Sequence, residues 1–287
     1  MSVDGRGAMR DDGGADASAG VERRASPEPW RLLGILLPIL VFAAAVSAWE
    51  WVVRHYAIAP YILPAPSAVA VTLFHDWGTL SASLLVTLRT MAIALVLATT
   101  GGALLAIIFA QSRLVERSLY PFAVILQVTP IVAIAPLLLV YLDAGTAMLV
   151  CAFIVAFFPI LSNTTLGLAS TDPHLRDLFK LYGAGRWREL VLLRIPAALP
   201  YFLGGLRIGG GLALIGAVVA EIAAGSAGQG SGLAYRIVES GYRLNIPRMF
   251  AALILISATG ILVYAVLGLL SHLLLRRWHE SAVDRGG

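Results

Sequence analysis

Six long apolar stretches, near residues 32–52, 82–109, 119–141, 146–168, 202–224 and 249–275, constrain this chain more than any other feature. A bilayer core about 30 Å thick needs roughly 20 apolar residues per helix, so each stretch has the length of a membrane span. Lipid offers no hydrogen-bond partner to the backbone, which makes the helix the natural form for such segments. The rest of the composition agrees: 13% of the 287 residues are charged, 59% are hydrophobic and the mean hydropathy is +0.83. Soluble domains carry about 25% charged residues. The expected fold is all-α, a polytopic membrane domain of about six transmembrane helices.

The ends differ from this interior. Residues 1–30 are polar and small, with Asp4, Asp11, Asp12, Asp16, Glu22 and Glu28 set against four arginines. They read as a disordered tail, too acidic for the n-region of a secretory signal. A transmembrane domain is expected over 31–280 and a short C-terminal tail over 281–287. The only cysteine, Cys151, lies in an apolar run and reads as a small core residue.

Six spans place both termini on one side of the membrane. On that side the tail, the 110–118 loop, the 169–200 loop and the C-terminal segment hold fifteen of the 21 Lys and Arg residues. The other side holds Arg54, Arg236, Arg243 and Arg248, while Arg89 and Arg207 fall within spans. The positive-inside rule therefore places both termini in the cytoplasm. Basic residues spread over short loops give no nucleic-acid face, despite a net charge of +4. Of the two segments expected outside, 54–81 contains a proline-rich turn and a short amphipathic stretch. The other, 225–248, opens with a glycine-rich connection and continues into a surface or re-entrant helix at 233–243.

The 169–200 loop has a pattern of its own. Leu175, Leu178, Phe179 and Tyr182 recur at helical spacing, Gly183-Ala184-Gly185 interrupts, and Trp187, Leu190, Val191 and Arg194 resume until Pro196 and Pro200 end the run. Two short amphipathic helices at a membrane surface need something to cover their apolar sides, and lipid headgroups and a partner protein both fit.

This loop resembles the cytoplasmic docking signature of ABC-importer permeases, Glu-Ala-Ala, three residues, Gly, nine residues, Ile-x-Leu-Pro. The matching residues are Asp177-Leu178-Phe179, Gly183 and Leu193-Arg194-Ile195-Pro196, with Leu-Phe standing in place of Ala-Ala. The flanking text, with Leu63-Pro64-Ala65-Pro66, Thr129-Pro130 through Ala135-Pro136 and Phe158-Pro159-Ile160, is similar to the branch that imports nitrate, taurine, sulfonates and pyrimidine-type vitamin precursors. The resemblance implies a type I permease fold, a second copy of the chain, separate ATPase subunits that hold ATP and Mg, and an extracytoplasmic solute-binding protein. It also implies that Asp177, Lys180, Gly183, Ala184, Gly185, Arg186, Trp187 and Pro196 form the coupling element toward the ATPase.

The residues themselves place ATP chemistry elsewhere. A P-loop needs Gly-Lys followed by Ser or Thr, and the only lysine, Lys180, precedes Leu181. The five histidines are dispersed, and His75, His174 and His279 read as loop or interface residues, so no metal site or cofactor is expected in this chain. Ionisable and polar groups inside spans are candidates for the translocation path: Arg89, Gln127, Thr129, Asn163 and Glu221. Structural ion pairs, including one between Arg89 and Glu221, and interhelical hydrogen bonds are the alternatives. Arg207 reads as an interfacial anchor, and Gly204, Gly205, Gly209, Gly210 and Gly211 as a packing face within the chain or across a two-fold interface. A carrier driven by an ion gradient is the rival reading; it would call for internal repeats and midplane carboxylates.

Overall fold

A computed structural model describes residues 29–225 and 230–276. The expected N-terminal tail, apart from its last two residues, the C-terminal tail, His279 and part of the 225–232 connection lie outside the described residues. The chain divides into two units at Ala48. In the first, the described residues form the greater part of α1 (Pro29–His55), whose residues from Leu36 to Phe42 are all exposed.

The second unit starts at Trp49 and, among the described residues, holds the last two turns of α1 and ten further helices. These are α2 (Pro66–His75), α3 (Trp77–Gln111), α4 (Arg113–Val128), α5 (Ile131–Tyr141) and α6 (Ala144–Ala169). After them come α7 (Pro173–Leu181), α8 (Arg186–Glu189), α9 (Ile195–Ala224), α10 (Leu233–Tyr242) and α11 (Ile246–Leu275). Among the described residues, five helical segments are long and apolar enough to cross a membrane, and six if α4 and α5 count as one span.

Small residues decide where these helices meet. On α3 the buried positions are Leu80, Ser83, Thr87, Met91, Ala94, Ala98, Gly102, Ala106 and Phe109, steps of three and four that mark one face. Large aliphatic groups such as Leu85, Val96, Leu104 and Ile108 are exposed on the same helix, as suits a lipid-facing side. Between α6 and α9 the backbones approach closely: a Cβ on Gly205 would stand 2.8 Å from Pro159 O, and one on Gly216 the same distance from Ala152 Cα. Van der Waals contact of this kind holds helices together where lipid removes the hydrophobic drive. The expected glycine face thus splits. Gly205, Gly209 and Gly216 serve α6 and Gly210 faces Leu267 of α11, while Gly204 and Gly211 remain exposed.

Two sequence expectations change. The stretch 119–141 is not one straight span, because α4 and α5 meet at a bend of 98°. Pro130 has no N–H for the helix and drives Thr129 into extended backbone, with φ −72° and ψ 123°. Conversely, Pro196 and Pro200 do not end the run that starts at Arg186. Helix continues from Arg186 to Ala224 through a π turn at Leu190–Arg194, where the Ile195 N–H bonds Leu190 O. The wider turn relieves the clash that a proline imposes on the preceding turn.

Candidate functional site

The docking candidate starts where α6 ends. Asp172 caps α7 by accepting from the His174 N–H at 2.8 Å, and Pro173 takes the first-turn position that needs no N–H. Leu175 and Leu178 are half-exposed, Leu181 and Tyr182 are more than four-fifths exposed, and no residue of α7 is buried. Trp187 at the start of α8 is 69% exposed. An apolar side left uncovered on a polar helix is what a docking surface requires.

Its geometry is fixed by one glycine. The Gly183 N–H bonds Lys180 O at 2.9 Å and the Ala184 N–H bonds Phe179 O at 2.9 Å, the paired pattern of a Schellman cap. That cap requires a left-handed residue, and Gly183 supplies φ +68°. Gly185, at φ −69°, makes no such demand. Arg176 of α7 donates to Glu189 of α8 at 2.7 Å, so the two helices are tied across the turn. Asp177 and Lys180 pair along the exposed face at 2.8 Å, and the lysine holds the Asp177 carboxyl below its ordinary range. Ala184 is half-buried and Arg186 exposed, whereas Pro196 sits inside the continuous helix toward the end of α11, beside Leu275.

At the opposite end of the bundle the structure assembles a buried group around Glu221. Thr87 donates to Glu221 Oε1 at 2.8 Å, the Ala234 N–H donates to Oε2 at 2.9 Å, and the Leu233 N–H donates to Thr87 Oγ1 at 3.0 Å. Gly232, the N-cap of α10, has no side chain to satisfy the first-turn donors, so two residues from other helices do so. A Cβ on Gly232 would overlap the Glu221 carboxyl, which makes the glycine a condition of this approach.

Around this group the same end carries ion pairs. Arg236 donates to Ser83 and pairs with Glu239, which also meets Arg243. Arg248 joins α11 to Asp76 at 2.6 Å, between α2 and α3. The Arg248 hydrogen bond holds the Asp76 carboxyl below its ordinary range, and Arg236 does the same for Glu239.

The path candidates therefore separate. Glu221 is buried but bonds Thr87 rather than Arg89, which is exposed on α3 and has no ion-pair or hydrogen-bond partner among the described residues. Gln127 is exposed on the last turn of α4, and Thr129 returns its hydroxyl to Ile125 O at the bend. Asn163 bonds Pro159 O within α6 at 2.8 Å. Arg207 lies in the middle of α9, its guanidinium carbon 3.7 Å from the ring centroid of Tyr264 on α11, a cation–π contact. Sequence reasoning missed Thr87, because a threonine in a span ordinarily bonds its own helix, as it also does here with Ser83 O.

Residues 98–279 match the family of binding-protein-dependent transport system inner membrane components. The chain is similar to a probable ABC transporter permease protein of Haemophilus influenzae, 33% identical over 83% of this chain and 96% of that protein. It is likewise similar to the formylaminopyrimidine transport permease protein of Halalkalibacterium halodurans, 33% identical over 84% of this chain and 95% of the relative. The riboflavin transport system permease protein of Chloroflexus aurantiacus is 34% identical over 88% and 92%. The chain thus belongs to the binding-protein-dependent inner-membrane permease family, and is the multi-pass transport subunit of an ATP-driven importer whose ATPase is a separate chain.

Proposed function

We propose that this permease imports a heteroaromatic vitamin or vitamin precursor, working as a homodimer with two ATPase subunits and an extracytoplasmic solute-binding protein. The similarity to the formylaminopyrimidine and riboflavin permeases over nearly their whole lengths carries the substrate class. ATP and Mg bind to the ATPase subunits. Their closure pushes on α7 and α8, and the Arg176–Glu189 tie makes the two short helices move together. The long helix from Arg186 to Ala224 carries the push toward Glu221, so that the helices exchange inward for outward access. The permease supplies packed states to move between, and nucleotide binding supplies the bias.

Both termini lie in the cytoplasm in this reading, supported by the basic side that carries α7 and α8. Gly204, Ile208, Gly211 and Ile215 form an exposed stripe on α9 that suits a second copy. A small anion such as nitrate, taurine or a sulfonate is the second reading, favoured by the exposed Arg89, which has no ion-pair partner among the described residues.

The test uses proteoliposomes containing the permease and its ATPase, with the solute-binding protein added outside. Formylaminopyrimidine or riboflavin is expected to raise ATP hydrolysis and to accumulate inside, while Gly183→Pro abolishes both by destroying the α7 cap. Stimulation by nitrate or taurine alone would replace the heteroaromatic reading with the anionic one.

A further inference from the structure

A second feature stands at the docking end, outside the coupling element. A cavity of about 600 Å³ opens between the ends of α3 and α6, the start of α4 and the π turn. Four arginines line it, Arg113, Arg117, Arg176 and Arg194, against one carboxyl, Glu116. Two of the four have structural duties. Arg194 donates to Leu168 O at 3.0 Å and to Ala110 O at 2.9 Å, closing the C-terminal ends of α6 and α3, and Arg176 is paired with Glu189. Arg113 and Arg117 are exposed and have no hydrogen-bond or ion-pair partner among the described residues. They are one turn apart on α4 and face a space already positive.

The inner wall is apolar, with the buried Phe109 and the ring of Tyr120. Elsewhere on α4, Leu114 and Phe122 are 77% and 64% exposed. A cationic rim, an apolar wall and a place at the ends of three apolar helices match an amphiphile that carries a phosphate at the membrane surface. Basic pockets between helices on the cytoplasmic side suit anionic headgroups, and each such arginine contributes favourably to the attraction. The volume falls within the roughly 300–1,000 Å³ of small-molecule sites.

We propose that this cavity binds the phosphodiester headgroup of an anionic phospholipid of the inner leaflet, with Arg113 and Arg117 as the recognising groups. It rests on the importer reading for which leaflet the cavity faces. A lipid seated there touches Arg176 and Arg194, which hold α7 and the π turn in place, so its occupancy stiffens the base of the docking element.

The experiment takes the permease with its ATPase in nanodiscs of phosphatidylcholine containing a minor share of phosphatidylglycerol, and counts retained lipid by native mass spectrometry. The variant R113A/R117A is expected to lose retained phosphatidylglycerol about tenfold or more. Arg243→Ala, at the opposite end, is expected to leave retention unchanged. If the double variant has a lower melting temperature, the two single variants give the same reading. Equal retention by the native chain and these variants would overturn the proposal. So would inorganic phosphate alone stabilising the lipid-free native permease as strongly as phosphatidylglycerol does, which would make this a site for a free anion. Release of the ATPase by R113A/R117A with lipid retention intact would assign the cavity to the protein partner instead. The same spectra report the ATPase content of the native sample, so its absence there would count against the coupling reading and not against the lipid site.

Discussion

Gly183 illustrates how one residue fixes a surface. Its left-handed backbone closes the Schellman cap of α7, and no atom lies within 4 Å of where a Cβ would stand, so the whole cost of a side chain there is conformational. Gly183→Ala is expected to destabilise the α7–α8 turn by about 1 kcal/mol, whereas Gly185→Ala, at an ordinary φ, is expected to change stability by a few tenths at most. ATPase activity stimulated by the solute-binding protein should fall in the first variant and persist in the second. Equal behaviour of the two would show that the cap does not position the docking surface. The spacing that marks Gly183 is legible in sequence, but the difference between the two glycines is not, since it depends on backbone angles.

At the scale of the element, α10 is a short helix whose first turn is satisfied from outside. Thr87 of α3 and Glu221 of α9 take the N–H groups of Leu233 and Ala234, and Gly232 leaves them room. Glu221→Ala leaves the Ala234 donor buried and bare, at a cost of about 2 kcal/mol, and Thr87→Ala does the same to Leu233. Because the two side chains also bond each other, their effects should be less than additive, with a coupling of about 1 kcal/mol in a double-mutant cycle of unfolding in detergent. Strict additivity would mean that they act separately. A carboxyl in a span can be flagged from sequence as functional or structural, yet its partner is 134 residues away in the chain, and no spacing rule reaches that far.

In the whole molecule, ion pairs at the end that carries α10 reinforce elements that already meet in one apolar cluster, formed by Val69, Leu80, Leu233, Ala251, Ala252 and Leu255. Arg248 links α11 to the α2–α3 junction through Asp76, and Glu239 gathers Arg236 and Arg243. Both carboxyls titrate below their ordinary values in the folded chain, because arginines hydrogen-bond their charged forms. The stability they contribute is therefore fully present above the ordinary carboxylate range near pH 4, and is lost as pH falls through the lower folded values. Melting of the purified permease should be insensitive to pH from about 7 to 5 through these groups and drop below about 4. Asp76→Asn should lower the melting temperature at neutral pH and flatten the acid drop; an unaltered acid profile would exclude Asp76 from it.

The sequence by itself determined the class of the molecule, because runs of apolar residues at bilayer length leave few solutions other than membrane helices. It also determined where two short helices are interrupted by a turn at Gly183, since helical periodicity and a glycine break are local properties. Tertiary structure decided the rest. Pro130 breaks a span while Pro196 and Pro200 are absorbed into one: a π turn widens the backbone ahead of Pro196, and Pro200 is carried inside α9. Gly205, Gly209 and Gly216 face α6 within the chain, Gly210 faces α11, and Gly204 and Gly211 lie open, because the packing angle of α9 sets which side of a glycine-rich helix meets a neighbour. Arg89 and Glu221 remain apart for the same reason: a pairing between helices is set by how their faces turn, and apolar pattern fixes that a face exists but not which polar group it meets.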